Sequence, residues 1–127
     1  MTKLILIFVG SGLGGVLRYA LGGWAHRLTN GSFPFGTLLV NVLGCLLIGF
    51  LTAALAGRFL IREELRVAVL IGLLGGFTTF STFGFETFEL MNLGQFGLAG
   101  MNVLLSLFGG LSGVWIGYRV AESWLGV

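Results

Sequence analysis

Four apolar runs, each about as long as a helix that crosses a bilayer, account for most of this chain: residues 4–25, 35–57, 67–90 and 96–118. A hydrocarbon core of ~30 Å takes about 20 residues of helix to cross. Helix is also the form that satisfies every backbone group inside its own segment, which lipid demands. Only 9% of the residues are charged, against about 25% in a soluble domain, so water cannot be the solvent on every side. The chain reads as an all-α integral membrane protein, a single four-span domain over residues 1–127 whose partner is the lipid bilayer. Lys3 precedes the first run as in a signal peptide, but Arg18 interrupts that run and no small-residue cleavage pattern follows, so it reads as a retained span. A net charge of +2 with no basic stripe gives no reason to expect a nucleic-acid partner.

The connections are short. HRLTNGSFP at 26–34 has turn composition, RFLIREELR at 58–66 holds the charge cluster, and MNLGQ at 91–95 is uncharged. Lys3, Arg58, Arg62, Arg66 and Arg119 fall on the side of the termini, against Arg18 and Arg27 on the other, a moderate bias toward cytoplasmic termini. Glycine makes up 23 of 127 residues, against about 7% ordinarily. Gly10 with Gly14, Ser11 with Gly15, Cys45 with Gly49, and Gly109 with Gly113 and Gly117 recur every fourth residue, a spacing that clears a helix face for a neighbouring backbone. So much small-residue surface on four spans invites a second copy.

No residue pattern suggests an enzyme. The single histidine, His26, sits at the end of a span, and no His, Cys, Asp or Glu set has metal-ligand spacing. What remains is polar matter at membrane depth, which is expensive and therefore informative. Arg18 lies about fourteen residues into the first span, roughly 21 Å along a helix. Parallel spans bring it level with Glu86, as an ion pair or as a positive pore mouth. Asn41 can bond a neighbouring helix or offer its amide to an anion. Asn102 and Ser106 share one face of the fourth span, which Gly109, Gly110 and Gly113 continue.

The stretch GGFTTFSTFGFE at 75–86 is the least helix-like part of any span. Paired glycines followed by paired threonines predict a third helix broken near 75–80. At a mid-membrane break, exposed N–H groups favour anions and freed carbonyls favour cations. Phe77, Phe80 and Phe83 recur every third residue; they are either core aromatics or rings whose positive edges line an anion path.

With LRY at 17–19, FGTLLVN at 35–41 and GGFTTFSTFGFE at 75–86, the sequence resembles the Fluc fluoride channels, also called CrcB, along its whole length. The resemblance implies a passive, fluoride-selective channel of the inner cell membrane that exports fluoride from the cytoplasm and limits its toxicity. It further implies an antiparallel, dual-topology homodimer with two pores and a structural sodium ion on its axis. Residue by residue, Phe80 and Phe83 match the rings that flank fluoride. Asn41 matches the pore amide, with Thr37 upstream, and Ser81, Thr82 and Ser106 match hydroxyls of the ion path. The Gly75 and Thr78 carbonyls match the sodium ligands, and Arg18 and Glu86 match the family's first-span arginine and third-span glutamate, as entry or structural charges. Gly110 departs from the pattern where a serine is expected.

Two rivals are of other kinds. A small four-span, dual-topology multidrug exporter needs an acidic residue deep in its first span, and residues 4–25 contain none. In a non-transporting membrane assembly protein every polar feature would be packing.

Overall fold

The structure is a computed structural model that describes residues 1–56 and 61–126. Arg58 and the expected end of the second span at residue 57 lie outside the described residues. Among the described residues four helices are long and apolar enough to cross a membrane: Thr2–Thr29, Phe35–Ala56, Glu63–Asn92 and Phe96–Leu125. The first two are α1 and α2. The third is composite, with α3 at Glu63–Val67, a π-helical turn at Ala68–Leu73, α4 at Leu74–Phe77 and, after a break, α5 at Phe80–Asn92. The fourth is α6, Phe96–Leu125.

The first, third and fourth helices outrun their apolar runs because polar end residues continue them. Helix α1 stops at Asn30, whose φ of 42° places it in the left-handed region that ends helices. The 58–66 segment, expected as a connection, is helical from Glu63 onward. Glu63 and Glu64 occupy the first turn, where carboxylates complement the helix dipole, and Lys3 Nζ donates to Glu63 Oε1 at 2.6 Å. The link between α5 and α6 turns at Gly94, whose φ of 72° suits glycine.

Helices α2 and α6 pack along their lengths, and α1 packs against the π-helical turn and α4. Glycine makes both approaches possible. A Cβ at Gly14 would overlap the Leu73 carbonyl and lie 2.7 Å from Phe77 N, and one at Gly76 would overlap the Ser11 backbone. Gly49 faces the Val114 carbonyl, and Gly117 faces the Leu46 carbonyl. Helix α5 is held differently: it packs chiefly on α6, with a smaller contact to α2. That leaves space on both of its sides.

Candidate functional site

The third span breaks at Thr78 and Thr79, not at the glycine pair that precedes them. Gly75 and Gly76 remain helical in α4, while Thr78 (φ −88°, ψ 159°) and Thr79 (φ −152°, ψ 119°) are extended. Gly76 is small because Ser11 lies against it, and Gly75 has no other atom within 4 Å of where a side chain would start. The glycines serve close approach, and the threonines make the break.

Backbone groups freed by a break need partners, and side chains meet several of those at Thr78, Thr79 and Thr82. The Thr79 N–H, which in an unbroken helix would bond the Gly75 carbonyl, donates to Asn41 Oδ1 at 2.8 Å. Asn41 Nδ2 donates back to the Thr79 carbonyl at 2.9 Å. One amide side chain thus pairs with Thr79 as a neighbouring strand would. Arg18 Nη1 donates to the Thr78 carbonyl at 3.4 Å, and Thr78 Oγ1 donates to the Leu74 carbonyl at 3.0 Å. Thr79 also caps α5: its Oγ1 accepts from Thr82 N at 3.2 Å and donates to Thr82 Oγ1 at 3.1 Å. Ser81 Oγ lies 3.3 Å from the same oxygen.

Two cavities meet at this break. The first, about 1160 Å³, is bordered by Arg18, Thr37, Thr79, Thr82, Glu86 and Glu89 among others. The second, about 630 Å³, is bordered by Asn41, Gly75, Thr78, Phe80, Phe83 and Ser106 among others, and among the described residues no charged one borders it. Among the described residues, Thr79 is the one common to both walls. A charged mouth therefore adjoins a charge-free groove at the point where the helix is broken.

Within the mouth Arg18 and Glu86 are not an ion pair. Arg18 goes to the Thr78 carbonyl, and Glu86 Oε1 accepts from Thr37 Oγ1 at 2.8 Å. Within the groove the Phe80 and Phe83 rings are tilted by 46° with centroids 5.6 Å apart. Phe83 is half-buried, while Phe80 is 84% exposed and so has little of its own chain around it. Ser106 Oγ is buried without a hydrogen-bond partner, an exception that calls for a physical reason. Gly110 borders the groove beside Cys45, whose sulfur would lie 3.3 Å from an added Cβ. Ser81 is exposed and borders neither cavity.

Sequence reasoning uses Thr79 only as part of the break; threonine is also a preferred N-cap residue for the helix that follows.

Comparison with known proteins identifies the family. Residues 5–118 match the family described as CrcB-like protein, Camphor Resistance (CrcB). The chain is 46% identical over 122 residues to a fluoride-specific ion channel FluC of Geobacter sulfurreducens, covering 96% of this chain and 98% of that protein. A FluC of Methylocella silvestris is 48% identical over 118 residues, covering 91% and 89%. One from Coxiella burnetii is 44% identical over 121 residues, covering 94% and 98%. With identity at this level along nearly the full length, the chain belongs to the CrcB/FluC family of fluoride-specific ion channels, a family of channels and not of enzymes.

Proposed function

We propose that this protein is a passive fluoride channel of the inner cell membrane that lets fluoride out of the cytoplasm and limits its toxicity. The observation that carries this reading is the charge-free groove beside the break, where the buried Ser106 hydroxyl has no partner. A small hard anion can accept that proton, and the ring edges of Phe80 and Phe83 offer it weak positive contacts without binding it tightly. Asn41 has a second amide hydrogen to give, since Thr79 takes one. Conduction needs sites that attract the ion and also release it, which a wall without fixed charge provides. Arg18 places a guanidinium in the adjoining mouth, which Glu86 and Glu89 also border, so any pull on an anion there is local to Arg18.

The pore-forming unit in this reading is an antiparallel homodimer inserted in both orientations. Exposed Phe80 and open Gly75 support it, because a single chain leaves one side of the groove uncovered. A structural sodium ion belongs to the same proposal. The Gly75 carbonyl has lost its helical partner, the Thr78 carbonyl lies at the same break, and no carboxylate borders the groove to balance a second charge. That donor set fits a monovalent cation, which Gly75 and Thr78 of two copies would hold. When bound, such an ion neutralises carbonyl dipoles in a dry interface.

The test is flux from liposomes loaded with fluoride or with chloride. Fluoride should leave passively and chloride hardly at all, with Phe80→Ile reducing the fluoride flux. Flux should need sodium to be present, yet a sodium gradient should drive nothing. Comparable chloride flux, or transport that requires a proton or sodium gradient, overturns the assignment. Cysteines placed in the Asn30 turn should label from both sides of the membrane; labelling from one side refutes the dual orientation.

A further inference from the structure

Thr87, on the half-helix that carries both groove phenylalanines, donates its hydroxyl proton to the Phe83 carbonyl at 2.7 Å. A hydroxyl has one proton, so Thr87 Oγ1 can then only accept. Asn102 Nδ2, from α6, fills that acceptor site at 2.9 Å. Asn102 is 1% exposed and borders neither cavity. It is a polar side chain buried wholly among helices at membrane depth, where an unmade bond is costly. The chain of donors runs one way, from amide to hydroxyl to carbonyl, and each bond polarises the next. Ser106, one turn along α6 on the same face, borders the groove together with Phe83.

Helix α5 needs such an anchor. Its N-terminal end is severed from α4 by the break, and its main neighbour is α6. Apolar contacts in lipid do little to fix where one helix sits along another, whereas a buried interhelical hydrogen bond selects one register.

We propose that Asn102 is a positioning residue for the fluoride path: through Thr87 it sets the register of α5 on α6 and so holds the Phe83 ring opposite Ser106. This rests on the reading that Phe83 borders the fluoride path. The amide is required as a donor, because the Thr87 proton is already committed to Phe83.

The experiment compares Asn102→Leu, Thr87→Val, their double variant, Thr87→Ser and Phe83→Ile in fluoride-loaded liposomes, with flux normalised to folded protein. A 4-fluorophenylalanine label at Phe83 reports the ring by 19F NMR, and the same label at exposed Phe8 on α1 is the control. Asn102→Leu and Thr87→Val should each lower flux several-fold and shift or broaden the Phe83 resonance while leaving Phe8 alone. The double variant should be no worse than either single one, and Thr87→Ser should conduct like the original. Full flux with an unmoved Phe83 resonance in Asn102→Leu, or additive losses in the double variant, overturns the proposal. Thr87→Val keeps the side-chain shape and carries the same test if Asn102→Leu does not fold. Wild-type flux in Phe83→Ile is a separate result, and it would remove the pathway reading beneath.

Discussion

Before its break the third span lies backbone to backbone against α1, through Gly10, Gly14, Gly72 and Gly76. After the break, α5 is suspended from side chains: Asn41 on Thr79, Thr37 on Glu86 and Asn102 on Thr87. The first half is fixed by the absence of side chains and the second by their polar groups. Van der Waals contact between backbones is unforgiving of any added atom but carries no chemistry. Hydrogen-bonded suspension tolerates bulk nearby, and it puts donors beside the ion path. The half that must be rigid and the half that must present groups to an ion are therefore built by different rules.

The widest separation should come from two glycines, one in each half. Gly76→Ala would drive its Cβ into the Ser11 backbone, which cannot yield, and overpacking of this kind costs about 1–3 kcal/mol or more. Gly84→Ala meets nothing within 4 Å and replaces glycine inside a helix, a gain of roughly 0.5–1 kcal/mol. Unfolding in detergent should show Gly76→Ala strongly destabilised and Gly84→Ala equal to or above the original. Equal stability of the two variants would break the contrast between the halves. Loss of flux in a stable Gly84→Ala protein would sharpen it, by placing a partner surface on α5.

How far the sequence exposes this contrast can be judged at particular residues. Run length and composition suffice for the four spans, since lipid permits few alternatives. The break was legible to within a few residues, but the glycines that drew attention to it are not its cause. Propensity marks Gly75 and Gly76 as weak helix formers, yet packing on α1 keeps them helical. The π-helical turn at Ala68–Leu73 left no local mark, because it accompanies the approach of Gly72 to Ile7 and Gly10 on another helix. The Asn41–Thr79 pair spans 38 positions and the Asn102–Thr87 pair 15. Spacing along one helix cannot show either. Of the residues singled out by motif, Asn41, Phe80, Phe83 and Ser106 border the groove, Arg18, Thr37, Thr82 and Glu86 the mouth, and Ser81 neither.

A smaller but functionally sharper effect is expected at Asn41, the strongest of the suspensions. Asn41→Leu removes the partner of the Thr79 N–H, in a residue only 8% exposed. It also removes a second bond to the Thr79 carbonyl, which as the N-cap of α5 accepts the first helical bond as well. A buried group left unpaired costs about 1–3 kcal/mol, so stability should fall by a few kcal/mol and flux should collapse. Asn41→Asp keeps an acceptor for the Thr79 N–H but sets a carboxylate against the Thr79 carbonyl and puts negative charge in the groove. It should fold better than Asn41→Leu and conduct no better. If Asn41→Leu kept full stability, the bidentate pairing would not be what holds the break.

The finest test lies at the break itself, where two adjacent threonines belong to opposite halves. Thr78 closes the first half: its hydroxyl donates to the Leu74 carbonyl, which already accepts from the Thr78 N–H at 3.0 Å. Its methyl fills the space left by Gly44, and valine retains a methyl there, so Thr78→Val removes only a redundant bond. Thr79 opens the second half, and its hydroxyl is the sole side-chain cap of α5. Removing an N-cap oxygen costs about 1 kcal/mol. Thr79→Val should therefore lose about that much stability and several-fold in flux, Thr79→Ser should lose little, and Thr78→Val should be near neutral in both. The comparison is read as a ranking of three conservative variants in one assay. A Thr78→Val protein as impaired as Thr79→Val would mean that the first half also depends on its polar groups, and the division between the halves would then fall elsewhere than at the break.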